Sequence, residues 1–173
     1  ALRQALSVPV IGTVPAIKPA AQVSTTRHIG LLATSATVNR PYTQGLIESF
    51  ASDCRVTRLA ADPLVVEAEA WLAGKPLNAA RIQQALAPLW EAAQAPPALD
   101  TVVLGCTHFP LLQPLLVSLS PVPLAWVDSG DAIARRVGQV AATLISSVPD
   151  GRCFTTAPAA ALADGMARYG FSA

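Results

Sequence analysis

The chain has 173 residues, 52% of them apolar and 13% charged, with a formal net charge of +1. That is enough for one domain or one and a half, fits a packed core and argues against disorder. The Lys and Arg residues are scattered rather than striped, which sets nucleic acid aside as a partner, and no apolar run reaches the roughly 18–20 residues that a membrane span needs.

The first residues, "ALRQAL", read as the end of a helix. No charged segment leads a long apolar stretch there, so no signal peptide is read. With Met166 the only methionine, Ala1 is not a translation start, and the chain is expected to begin inside a longer protein. "VPVIGTV" (8–14) predicts a strand, and "HIGLLA" (28–33) another. Over 37–51, Val38, Tyr42, Leu46 and Phe50 fall four apart and predict one helix face, with Thr37 as N-cap and Pro41 tolerable only near the first turn. "CRVTRLA" (54–60) predicts a strand. A helix follows over 62–74, with Asp62 capping, Pro63 at its first position and Gly74 at its end. Another helix is expected from Asn78 to Ala93, then a loop at "QAPPA" (94–98).

"DTVVLG" (100–105) is too apolar for a strand with a wet face and predicts the middle of a parallel sheet covered on both sides. Residues 110–119 read as helical despite Pro114, and 124–130 as a strand running into a turn. Over 131–145, Ile133, Val137, Val140, Ala141 and Leu144 form a helix stripe, with Asp128 and Asp131 spaced as a reciprocal cap. A strand ("GRCFTTA") and a helix ("PAAALADGMARYG") close the chain, and "SPVPL" (120–124) is the candidate domain boundary. Strands alternating with helices predict an α/β fold with a mostly parallel sheet.

Cys54, Cys106 and Cys153 are odd in number and widely spaced, which fits free thiols in a reducing cytoplasm better than a disulfide framework. Cys106, Thr107 and His108 stand where the 100–105 strand ends, and sites in such sheets form beyond the carboxyl ends of the strands. A helix opening at Pro110 would favour negative charge on the sulfur. From position alone an inert, packed thiol is the commoner case, and His108 two residues on adds modest weight to the chemical reading. Several chemistries fail on spacing. A cysteine phosphatase loop needs Arg where Leu112 stands, and a hydrolase elbow needs Gly where Leu104 and His108 stand. No second close Cys or His pair is present for zinc, and Lys18 and Lys75 read as solvated rather than as pyridoxal-binding. A thiolate acting as a base survives.

"TVVLGCTHFPLL" closely resembles the second signature of the glutamate racemases, of the aspartate/glutamate racemase superfamily. "VPVIGTVPAIKPA" (8–20), "IGLLATSATVNRPYTQGLIESFA" (29–51), "EAEAWLAGKPLN" (67–78), "VDSGDAIARRV" (127–137) and "RYGF" (168–171) resemble the proteobacterial members in the same order. The resemblance implies a cofactor-independent, metal-free reaction in which two cysteines on opposite faces of the substrate exchange its α-proton, interconverting L- and D-glutamate for peptidoglycan synthesis. It maps one base onto Cys106. It also maps substrate-binding or thiol-assisting positions onto Thr107 and His108, and a threonine loop facing the same cleft onto Thr34 and Thr37, whose other reading is helix capping.

The family's first half, with its Asp-Ser pair and Cys-Asn-Thr motif, has no counterpart here. Neither Cys54, opening a strand, nor Cys153, near the end, sits at a family base. The expected organisation is therefore one complete racemase-like α/β domain over 1–123, carrying the second catalytic cysteine. Residues 124–173 would complete a first domain whose larger part is absent. The expected function is glutamate racemisation, with this chain inactive alone. The rival readings are a racemase for aspartate or another small acid, and a non-catalytic fragment that binds a protein partner or a sugar-nucleotide precursor. Expected ligands are L-/D-glutamate and a peptidoglycan-precursor effector, with homo-oligomerisation open.

Overall fold

The computed structural model describes residues 2–141, 151–152, 154 and 160–172. Four parallel strands form one sheet in the order β2-β1-β3-β4. They are β1 (His28–Ala33), β2 (Arg55–Ala60), β3 (Thr101–Leu104) and β4 (Ala125–Val127). The register aligns Ile29 with Val56 on one side and with Thr101 on the other, and Val102 with Trp126. Every residue of β1 and β3 is buried, as the unbroken apolar runs predict for central parallel strands.

Successive side chains point to opposite faces, so each central strand feeds two cores. Ile29, Leu31, Ala33 and Val103 pack with Ile17, Ala20 and Ala21 of helix α2 (Ile17–Val23) and Ile47 of α4 (Pro41–Phe50). Leu32, Val102 and Leu104 pack on the other face with Leu64 and Ala68 of α5 (Pro63–Leu72), with Ile82, Leu86 and Leu89 of α6 (Ala79–Gln94), and with Phe109 and Leu116. Gly30 lets α6 lie close, since a Cβ there would stand 2.7 Å from Leu89 Cδ1.

The chain begins with a short helix, α1 (Leu2–Ala5). Residues 8–14 are not the expected strand: no strand forms there, and Pro9 and Pro15 remove donors at each end. Residues 37–51 are not one helix. Two form, α3 (Ser35–Val38) and α4, because Arg40, the residue before Pro41, is pushed to extended backbone (φ −70°, ψ 134°) and Pro41 starts the second helix. Thr37 therefore lies inside α3, and Thr34 takes the N-cap place. The buried face of α4 is Thr43 and Ile47; Tyr42 is 60% exposed and Phe50 lies under Lys18.

Elsewhere the elements fall where the patterns place them. Asn78 Oδ1 accepts from Arg81 N at 3.0 Å and caps α6. Gly74 takes the left-handed conformation (φ +72°) beyond α5. Pro114 is accommodated because a 3-10 turn, Phe109–Leu112, precedes α7 (Gln113–Leu119) and leaves the proline in the first turn. Helix α8 (Gly130–Ala141) has none of its residues buried, and Leu144 lies outside the described residues. Its cap is an Asp128 Oδ1 bond to Gly130 N at 2.5 Å, two residues on, in place of the expected three-residue reciprocal box. Helix α9 (Ala160–Ala167) packs on α5, where a Cβ on Gly165 would stand 2.0 Å from the Leu72 carbonyl. Cys153 and most of its expected strand lie outside the described residues. Among the described residues no helix is long and apolar enough to cross a membrane.

Candidate active site

Parallel strands deliver all their carboxyl ends to one edge. Thr34 and Ser35 follow β1, Asp62 follows β2, Cys106, Thr107 and His108 follow β3, and Asp128 and Ser129 follow β4. Gly105 sets the approach after β3. A Cβ there would meet Leu31 Cδ1 at 3.0 Å and Ala33 Cβ at 3.1 Å, and its N–H donates to Leu32 O at 2.8 Å. Cys106 thereby leaves β3 at the carboxyl end of neighbouring β1, the strand that the threonine loop follows.

Cys106 is half-buried, and its Sγ lies 3.7 Å from His108 Nδ1. His108 Nε2 lies 3.0 Å from Glu69 Oε1 of α5. An ionised carboxylate can only accept, so Nε2 carries a proton to Glu69 and Nδ1 faces the sulfur. The arrangement is a thiol–imidazole–carboxylate chain: the imidazole can accept the thiol's proton or, doubly protonated, donate to the thiolate. With the His108 side chain 30% exposed and that of Glu69 54% exposed, the chain opens to solvent and to a ligand. Thr107 is exposed beside it. The helix expected to open after the cysteine starts as the single 3-10 turn, whose first N–H (Phe109) bonds the Cys106 carbonyl at 3.2 Å. Its dipole is accordingly short, and His108 is the sulfur's polar neighbour.

On the β1 side, Thr34 Oγ1 donates to Thr37 Oγ1 at 3.2 Å, and buried Thr43 donates to the Thr37 carbonyl at 2.7 Å. Asp62 accepts from Ser35 N at 3.1 and 3.3 Å and from Ser35 Oγ at 3.0 Å. The structure thus brings Cys106, Thr107, His108, Thr34 and Thr37 to one edge of the sheet, on adjacent strands β1 and β3. Sequence reasoning missed Glu69, Ser35 and Asp62. A helix over 62–74 was legible, and Glu67 and Glu69 on it point apart: Glu67 is buried and accepts from Asn78 N, while Glu69 faces out. The partner of Glu69 is 39 residues away and needs the fold to be seen.

Cys54 precedes β2 and so lies at the opposite edge, a six-residue strand or about 20 Å away. Its thiol is pushed up, chiefly by burial. Among the described residues no group of three or more His, Cys, Asp or Glu could hold a metal ion.

Fold and site together define a parallel α/β protein with a thiol-centred polar cluster beyond the carboxyl ends of its strands. The family model of the Asp/Glu/Hydantoin racemases matches residues 1–137, and the chain belongs to that family. It is 46% identical to the glutamate racemase of Klebsiella pneumoniae (strain 342) over 180 residues, 99% of this chain and 62% of that protein. It is 48% identical to that of Shewanella halifaxensis over 136 residues, 79% of this chain and 49% of that protein. The chain thus spans about half to two thirds of the length of these curated relatives. Among solved structures, the glutamate racemase of Escherichia coli, in complex with L-glutamate and the activator UDP-MurNAc-Ala, superposes with a TM-score of 0.87 at 40% identity, over 98% of this chain and 65% of that one. The RacE1 isoform from Bacillus anthracis superposes at 0.76 with 25% identity, over 97% of this chain and 63% of that one.

Proposed function

We propose that this chain carries one of the two thiol bases of a glutamate racemase, with Cys106 as that base. The observation that carries the reading is the Cys106–His108–Glu69 chain, which opens beside the threonine loop at the carboxyl edge of the sheet. The Cys106 thiolate takes the α-proton of one enantiomer. A second thiol, supplied from outside these 173 residues, gives its own proton to the opposite face of the carbanion. Each turnover leaves the two thiols with their protonation exchanged. His108 steadies the sulfur in both states, and Glu69 steadies the imidazole when it carries the charge. Thr34, Thr37 and Thr107 supply hydroxyl and N–H groups to the substrate carboxylates.

Residues 1–123 form most of the domain that carries Cys106 in this reading, β4 completes its sheet, and the segment beyond leads into the domain that carries the other thiol. A cytoplasmic setting and D-glutamate supply for peptidoglycan accord with it. The activator in the Escherichia coli complex supports a peptidoglycan-precursor effector here too. The competing reading, a binding fragment without catalysis, is favoured by the single thiol at this edge among the described residues.

The test joins residues 1–173 to the N-terminal residues that precede the matching region in the Klebsiella pneumoniae relative, and assays both glutamate enantiomers. Racemisation is expected from this two-thiol form and not from residues 1–173 alone, and it is lost on Cys106→Ala. A Cys106→Ala protein that racemises as fast as its parent overturns the assignment, and an inactive two-thiol form that still binds glutamate favours the binding fragment.

A further inference from the structure

The N-cap place of α5 is filled by a residue that does not cap α5. Asp62 has helical backbone angles (φ −53°, ψ −34°), and its side chain makes no bond to its own helix. Both carboxylate oxygens instead accept from Ser35, from the N–H at 3.1 and 3.3 Å and from the hydroxyl at 3.0 Å. Ser35 opens α3, a helix of only four residues, and follows Thr34 directly. One turn of helix has no stability of its own, so its position is set from outside. Its other polar anchor is the Thr43 hydroxyl on the Thr37 carbonyl, at the far end of the turn.

Seven residues along α5 stands Glu69, which holds His108. Seven residues are about two turns, some 10 Å of rise on nearly the same helix face. One rigid helix therefore grips the loop after β1 with Asp62 and the loop after β3 with Glu69. We propose that Asp62 is a positioning residue of this site, clamping Ser35, and through it Thr34 and Thr37, at a fixed distance from the Cys106–His108 pair. The inference rests on the reading that the threonine loop meets the substrate. It adds that α5, as well as the end of β1, sets the loop's placement. The clamp is exposed, so its loss should move the loop more than it weakens the fold.

The test uses Asp62→Ala, Asp62→Asn and Ser35→Ala in the two-thiol form, with L-glutamate as substrate. Misplacing a binding group by about 1 Å costs up to about 10²-fold, and one anchor among several is expected to cost about tenfold in KM, with kcat held within about twofold. Asp62→Asn, which keeps an acceptor for the Ser35 N–H, should recover part of the loss. In Asp62→Ala, ¹⁵N resonances of Ser35–Thr37 should move or broaden while those of Cys106–His108 stay, with an unchanged urea midpoint. An unchanged KM, or a KM and a urea midpoint that shift together, overturns the positioning role. The failure of the site reading itself looks different: Cys106→Ala then racemises like its parent, and the assignment of Asp62 falls with it.

Discussion

At the amino edge of the sheet a dense set of hydrogen bonds ties loops to the strand ends, whereas at the carboxyl edge the thiol has one polar neighbour and Thr107 beside it is exposed. Asp100, before β3, accepts from Ser24 Oγ at 2.6 Å, from the N–H groups of Thr25 and Thr26 at 2.7 and 2.8 Å, and from Thr25 Oγ1 and Thr101 Oγ1, both at 2.9 Å. Fully buried His28 is bound at both ring nitrogens, to the Pro97 carbonyl at 2.6 Å and to Thr57 Oγ1 at 2.8 Å. Arg27, held in the left-handed region (φ +58°), is tied to the Ala21 carbonyl and to Asp53. At the other edge the Cys106–His108 contact is 3.7 Å, and Thr107 is exposed. One sheet thus has an edge whose bonds are spent on holding loops and an edge whose bonds remain available to a ligand.

The sharpest way to break that contrast is to exchange the roles of the two thiols. In the two-thiol form, Cys106→Ala should lower racemisation by about 10³-fold or more, the scale of a positioned acid–base group lost together with its proton acceptor. Cys54→Ala, at the amino edge, should leave racemisation within about twofold. Its half-buried sulfur packs with the α2/α4 core, so the cost should appear in stability, at roughly 1 kcal/mol. Equal losses of activity from both substitutions would erase the distinction between the edges.

Next in size is Asp100. Burial, the largest influence on its carboxyl, opposes ionisation. The hydrogen bonds from Ser24, the Thr26 N–H, Thr25 and Thr101 outweigh it and hold the carboxyl well below the usual carboxylate range. Asp100→Ala leaves those donors without their acceptor and should cost about 2–4 kcal/mol, read from the urea midpoint of the chain. A value depressed in the folded state means that the stabilisation is complete above the unfolded carboxylate value of about 3.9 and is lost as pH falls below it. The wild-type chain should therefore lose stability steeply below about pH 4, and Asp100→Ala should flatten that slope. An unchanged slope would show that other carboxylates carry the acid transition.

Glu69 probes the open edge more gently. Glu69→Gln removes the charge that steadies an imidazolium on His108 but keeps an acceptor for Nε2–H. We expect kcat in the two-thiol form to fall about tenfold, with a displaced pH–rate profile and a urea midpoint within about 0.5 kcal/mol of the parent. A fall in stability without a change in the pH profile would make Glu69 a surface residue with no part in the chemistry.

The contrast also explains what could be read from the sequence. The strands at 28–33 and 100–105 were legible because burial in the middle of a parallel sheet leaves unbroken apolar runs, whereas 54–60 is the half-exposed edge strand, its run broken by Arg55, Thr57 and Arg58. Cys106 and His108 were legible because they are neighbours in the chain at a strand end. The 37–51 helix was misjudged because Tyr42 and Phe50 fit a four-residue spacing while sitting outside, and because the backbone restriction before Pro41 splits the segment. Residues 8–14 carry the composition of a strand, but they are not among the four strands of the sheet, and Pro9 and Pro15 break the row of N–H donors that a ladder needs. Glu69 and Asp62 were invisible as partners because the pairs they form, with His108 and Ser35, join residues 39 and 27 apart. Asp62 was even legible as a helix start, and the structure gives that cap residue's carboxylate to another loop.

The smallest expected effect is a difference in thiol reactivity, and it separates the two edges without any need for catalysis. Cys54 and Cys106 are both free and both half-buried, so access alone does not rank them. What differs is the polar surroundings. Burial pushes the Cys54 thiol up, and the carboxylate of Asp53, 3.7 Å from its sulfur, adds to that, while Arg27 only partly offsets them. Cys106 has instead the His108 imidazole at the same distance, a group that stabilises a thiolate when protonated. Only the thiolate alkylates, and one unit of difference in acidity is a factor of about ten in its concentration. Brief iodoacetamide treatment of the folded chain near neutral pH, read peptide by peptide by mass spectrometry, should label Cys106 several-fold faster than Cys54. The preference should fall away in urea, where both thiols meet the same solvent. It should also shrink in His108→Ala while the chain stays folded. A preference that survives unfolding would belong to the local sequence and not to the site, and a Cys54 that labels first would place the reactive thiol at the wrong edge of the sheet.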